Sequence, residues 1–195
     1  MKKFLQGTHA LILKYRVPIS GWVFAFAVAD IFFRKIKPHG LVDPEQPLGM
    51  AGLLLVLAGI LLRSWSAGVV HKQRKLAQQG PYALTRHPLY VGSALYTVGM
   101  ALILDTLELY LAFLALALLV YLPLIAREEK TLAEKFGEEW VAYCRRTAAV
   151  YPRHFPPGLR ADWSAAQWAR NREYMGTVVA VTCLILLQVL HRYPL

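Results

Sequence analysis

The chain has 195 residues and a formal net charge of +10, and it is 56% hydrophobic but only 17% charged. Its mean hydropathy is +0.38. That composition excludes intrinsic disorder and an ordinary soluble domain, and the length suits a single unit, residues 1–195. Cys144 and Cys183 are far apart and form no CxxC pair, and the six histidines show no ligand spacing, so neither a disulfide framework nor a metal site is expected.

In chain order, MKKFLQGTHALILKYR opens with an apolar stretch too short for a cleaved leader, so the first span is expected to act as an uncleaved insertion signal. Five apolar segments then approach the ~20 residues needed to cross a bilayer. They are residues 17–33, with Asp30 near the end; 48–68, with Arg63 inside; 89–104; 109–126; and 174–191. The predicted class is therefore an all-α polytopic membrane protein with five transmembrane helices. Amphipathic helices are expected on its cytoplasmic side.

Lysine and arginine give the orientation. With the N-terminus inside, the inner segments hold 17 of the 22 basic residues, the outer segments hold four, and Arg63 lies within a span. The predicted topology is N-terminus cytoplasmic and C-terminus outside. The positive charge then holds topology and faces anionic headgroups, and nucleic acid is not an expected partner. The bilayer and a lipophilic small molecule are; the sequence assigns no oligomeric state.

Two inner segments stand out, 69–88 and 127–173. In REEKTLAEKFGEEWVAYCRR, residues 127–146, Leu132, Phe136, Trp140 and Cys144 fall at successive i+4 positions, one stripe of a helix continuing the fourth span. Glu128 shares that stripe and is expected to be buried, which requires a partner. After the Pro-rich AAVYPRHFPPGL comes ADWSAAQWARNREY, where Asp162 or Ser164 suits a helix N-cap and Trp163, Trp168 and Tyr174 suit the membrane interface. Arg63 has two readings, snorkelling to the inner headgroups or meeting an anion inside the bundle. In GPYALTRHPLYVG, residues 80–92, chain turning accounts for Gly80, Pro81 and Pro88 but not for Tyr82, His87 and Tyr90; His87 and Tyr90 share a helix face.

These motifs together resemble the isoprenylcysteine carboxyl methyltransferase and phospholipid methyltransferase group of integral membrane enzymes. The resemblance runs from about residue 60 to 155. It comprises Arg63 and Trp65, GPY at 80–82, RHPLYVG at 86–92, the glutamate pair 128–129, and Phe136, Gly137, Tyr143 and Arg145. It implies S-adenosylmethionine as methyl donor (S-adenosylhomocysteine as product), a pocket that is not a Rossmann domain, and a lipid-like acceptor bearing a carboxylate or an amine. On the matching positions, Tyr82, Arg86, His87, Tyr90, Gly92, Glu128, Glu129 and Tyr143 are the implied cofactor residues. Glu128 or Glu129 would meet the donor's positive groups, and Arg86 or His87 its carboxylate. Arg127 and Glu129 are the implied catalytic residues, Arg127 gripping an acceptor carboxylate and a glutamate serving as base for an amine. The chain has fewer predicted spans than the eukaryotic prenylcysteine enzymes, so their acceptor specificity does not carry over. Two alternatives remain at this point, a sterol-reductase-like enzyme using NADPH and a non-catalytic membrane assembly or transport protein.

Overall fold

The computed structural model describes residues 33–71, 75–152, 155 and 159–193, and every regular element among them is helical. In order these are α1 (Pro47–Val69), α2 (Pro81–Leu84), α3 (Pro88–Leu104), α4 (Leu107–Leu116), α5 (Leu122–Phe136), α6 (Glu138–Arg146), α7 (Ala165–Arg170) and α8 (Glu173–Arg192). A wide π-helical turn, Ala117–Tyr121, joins α4 to α5 without a break.

Local chemistry explains most boundaries. Proline opens α1, α2 and α3, where its missing N–H costs nothing. Asp105, at φ 44°, ends α3 in the left-handed conformation, and Gly137, at φ 51°, ends α5. The π turn precedes Pro123, which has no N–H for the Leu119 carbonyl, so a local widening of the ladder is the expected response.

Three helical stretches are long and apolar enough to cross a membrane, Pro47–Val69, Leu107–Phe136 and Glu173–Arg192, and Pro88–Leu104 is a shorter apolar helix. These coincide with four of the five expected spans. The count of five is not reached among the described residues, because the remaining expected span, 17–33, lies outside them except for Phe33, and so does Asp30. Exposed Leu54, Leu57, Leu61, Leu111, Leu114, Leu118, Val178 and Ile185 form an apolar exterior suited to lipid.

Helices α1 and α3 pack most intimately. The buried face of α1 is mostly small, with Gly49, Gly52, Gly59, Ser66, Ala67 and Gly68 around Val56. Gly59 lies against Gly92 and Gly52 against Gly99; a Cβ at Gly59 would sit 2.6 Å from the Gly92 carbonyl oxygen. Small residues allow this approach between backbones. Leu184, Leu187 and Leu190 of α8 complete a core with Val56, Met100, Ile103 and Leu109.

The expected stripe 132–144 is corrected in one respect. It is not one helix, because Gly137 breaks it. The chain folds back there, and Leu132, Phe136 and Cys144 still meet Trp140, Tyr143 and Leu76 in one cluster. The segment after the Pro-rich stretch has a packing role within the bundle. It caps the end of α1: Trp163 Nε1 donates to the Ser64 carbonyl (3.0 Å), Gln167 Nε2 to Val70 (2.8 Å) and Asn171 Nδ2 to Ala67 (2.7 Å). The Ala67 and Val70 carbonyls are among those a helix end leaves without a partner in the helix. Ser164 is the N-cap of α7, its Oγ accepting from the Gln167 amide at 3.3 Å.

Candidate active site at the polar end of the bundle

The end of α1, the start of α3, the α5 extension, α6 and the start of α8 meet at one end of the bundle. Its centre is Glu129. Arg86 donates to Glu129 Oε1 through Nη2 (2.7 Å) and Nε (3.0 Å), and His87 Nε2 lies 3.0 Å from the same oxygen. Among the described residues Oε2 accepts no hydrogen bond, so half of the carboxylate is available to a ligand. His87 is 3% exposed and Arg86 is partly buried, so the cluster is sheltered on the protein side.

The loop carrying Arg86 and His87 is fixed by backbone pairing rather than by a helix. Their amides donate to the carbonyls of Ala148 (2.8 Å) and Ala149 (3.2 Å), and Thr85 Oγ1 donates to Ala149 (2.6 Å). Arg86 Nη1 also donates to the Thr147 carbonyl at 2.9 Å, and its guanidinium lies 5.8 Å from the Trp140 ring centroid. Residues 147–149 are therefore a structural part of the site.

The apolar part of the α4–α5 rod ends at Ala126, and Glu129 lies beyond it. Partial burial acts to raise the Glu129 carboxyl, but hydrogen bonds from His87 and Arg86, with their charge, prevail and hold it below the usual carboxylate value. Burial first, then the neighbouring Glu128 carboxylate, pushes the Tyr82 phenol far above its ordinary value, and burial does the same for Tyr143. Both stay neutral. Tyr143 donates to the Tyr82 carbonyl at 2.6 Å, tying α6 to the GPY turn.

Glu128 differs from its expectation. It is exposed and has no hydrogen-bond or ion-pair partner among the described residues, since it is Glu129 that faces the Arg86 loop. Arg127 is exposed on the same helix. Gly92 sits away from the Glu129 cluster in the α1–α3 contact, where a Cβ would lie 2.6 Å from Arg63 Cγ. Tyr90 joins the cluster to the bundle, its ring 5.8 Å from that of His87 and 5.9 Å from that of Tyr121.

Arg63 meets an anion within the chain. It forms a fork-on-fork pair with Glu173, Nε to Oε1 at 2.7 Å and Nη2 to Oε2 at 2.9 Å, and its Nη1 donates to Ser93 Oγ (2.5 Å) and the Leu89 carbonyl (3.3 Å). Glu173 is buried, and neither it nor Tyr121 was singled out by sequence reasoning. A signal for Glu173 existed: it is the acidic residue opening a span on the side where Arg63 ends one. Arg63, Glu173 and Tyr121 line a cavity of about 250 Å³ between α1, α3, α4 and α8, otherwise mostly apolar. No group of three or more His, Cys, Asp or Glu able to hold a metal occurs among the described residues.

A helical membrane protein with a polar cluster at one end and an apolar cavity beside it is the class these observations define. Residues 48–139 match the family model for phospholipid methyltransferase. Over that region, just under half of the chain, it is similar to the phospholipid methyltransferase family. It is 35% identical over 147 residues to the cobalt-zinc-cadmium resistance protein CzcN of Cupriavidus metallidurans, covering 73% of this chain and 66% of that one. It is 28% identical over 163 residues to the human protein-S-isoprenylcysteine O-methyltransferase (77% and 54%) and 26% identical over 142 residues to the B form of Arabidopsis thaliana (67% and 69%). The chain thus spans about half to two thirds of the length of most of these relatives. No solved structure matches it.

Proposed function

We propose that the protein transfers a methyl group from S-adenosylmethionine to a lipid-like acceptor within the membrane. The observation that carries this reading is adjacency. The Arg86–His87–Glu129 cluster is linked through Tyr90 to Tyr121, which lines the membrane cavity. A water-soluble donor and an apolar acceptor could meet there from opposite sides.

The donor set suits such a cofactor. The cofactor carries a sulfonium and an ammonium, and the site offers Glu129 Oε2 and the exposed Glu128 carboxylate next in the chain. When bound, the cofactor supplies an activated methyl group. This chain's residues then have to align the partners, because displacement at a sulfonium depends on geometry. His87 and Arg86 keep Glu129 ionised and fixed, Tyr90 and Tyr121 separate the two compartments, and the neutral phenols of Tyr82 and Tyr143 close the wall behind. In this reading Arg127, exposed at the rim, approaches an acceptor from the headgroup side. The basic asymmetry supports the cytoplasm as the side of this site, and the whole chain acts as one membrane unit.

Melting of the detergent-purified protein with S-adenosylhomocysteine or with NADPH tests the reading. A ligand at 100 times its Kd adds about 2.7 kcal/mol, which is roughly 5–10 °C for a chain of this size. A rise with S-adenosylhomocysteine is the expected result. A rise with NADPH alone would assign the site to nicotinamide chemistry instead.

A further inference from the structure

The cavity beside the cluster has a feature that bears on what it can hold. Among the described residues, Arg63 and Glu173 are the only charged side chains lining it, and they are locked together. Glu173 engages two of the three guanidinium nitrogens, and Ser93 and the Leu89 carbonyl engage the third. The fork-on-fork pair cancels both charges, with Glu173 buried and Arg63 partly buried. The remaining polar groups facing the space, Tyr96, Thr97, Tyr121 and Thr177, are neutral hydroxyls.

An arginine in such a place would ordinarily bind an acid. Here a carboxylate ligand would bring a second negative charge beside Glu173, with Arg63 already spent. A protonated amine would bring a second positive charge beside Arg63. Either leaves one uncompensated charge in an apolar surround, and that is costly. An uncharged hydroxyl fits without that penalty, donating to a free lone pair of Glu173 and accepting from a neighbouring hydroxyl. About 250 Å³ lies at the small end for ligand pockets, enough for a head and its adjoining carbons. Helices α4 and α8 both line the cavity, and Phe113, Leu116, Val179 and Ala180 give it an apolar wall suited to an alkyl chain.

We propose that this cavity takes an uncharged lipophile bearing a hydroxyl head, and that Glu173 sets the preference by neutralising Arg63. The inference concerns the ligand of the cavity and stands apart from the cofactor reading. Failure of S-adenosylhomocysteine to bind would leave it intact.

The test uses the full chain in lipid nanodiscs at pH 9 with three probes of equal length, 1-dodecanol, dodecanoate and dodecylamine. A carboxyl group is ionised there and an alkylamine, with a pKa of about 10.4, is largely protonated. Val179, half exposed on α8 and lining the cavity, provides a blocked control as Val179→Trp, in which general effects of the probes on the bilayer persist. Dodecanol is expected to raise the melting temperature of the unaltered protein about 5 °C more than that of Val179→Trp. The two ionic probes should not distinguish the proteins. Glu173→Gln frees the guanidinium and should transfer the response to dodecanoate. If that variant fails to fold, the charge-free double variant Arg63→Gln/Glu173→Gln should keep the alcohol preference. An equal response of the unaltered protein to dodecanoate or dodecylamine would overturn the proposal, as would the lack of any probe that separates it from Val179→Trp.

Discussion

Glu129→Ala is expected to abolish stabilisation by S-adenosylhomocysteine and to lower intrinsic stability, whereas Glu128→Ala should leave intrinsic stability within about 0.5 kcal/mol. The two residues are neighbours, yet they differ in what depends on them. Glu129 is the shared acceptor for Arg86 and His87, and without it a partly buried guanidinium keeps only carbonyl partners. Breaking a fully buried pair costs about 3–5 kcal/mol. The Glu129 side chain is 29% exposed, so screening reduces this to roughly 1–2 kcal/mol. Melting of both variants, with and without ligand, checks the contrast; equal intrinsic stability would mean that the cluster contributes nothing.

The same carboxyl gives a pH signature. Its folded pKa is depressed, so its contribution is fully present above the unfolded value of about 4.3 and is lost as pH falls through the lower folded value. Glu129→Gln should therefore show a weaker decline in stability below about pH 4.3 than the unaltered protein.

The second large effect concerns the α1–α3 contact. Gly92→Leu should cost about 3 kcal/mol or more and reduce the folded yield from membranes. A Cβ at this position would lie 2.6 Å from Arg63 Cγ and 2.9 Å from the Gly59 carbonyl oxygen, and that backbone cannot yield without parting the helices. Displacing Arg63 would also disturb its pair with Glu173. Gly176→Ala is the contrasting control. Among the described residues its Cβ would meet only Glu173 Oε1 at 3.7 Å, so the helical preference of alanine should make the change neutral or stabilising by up to about 1 kcal/mol. Melting temperatures of both variants read this difference.

The helices were legible because apolar runs carry their own length: 48–68 became Pro47–Val69 and 174–191 became Glu173–Arg192. The meeting of Arg86 and His87 with Glu129 was legible through charge asymmetry, which led us to expect both segments on one side. What escaped depends on distance or on single torsions. Glu173 is 110 residues from Arg63, and no local pattern joins them. The positive φ of Gly137 folded a stripe that i+4 spacing alone read as straight. The docking of residues 163–171 on α1 relies on the Trp163 indole and on the Gln167 and Asn171 amides, and those amides look like ordinary surface polarity in the sequence.

The wide turn at Ala117–Tyr121 has a consequence for the glutamate pair. An α-helix advances its residues by roughly 100° each, and a π turn absorbs one extra residue before the regular helix resumes. Everything downstream is therefore out of phase by one position with a regular helix of the same sequence. Were the ladder unbroken from Leu107 onward, Glu128 would stand roughly where Glu129 now meets Arg86 and His87. Which of two identical neighbours becomes the anchor is thus decided by the helical frame upstream, near a proline two turns away.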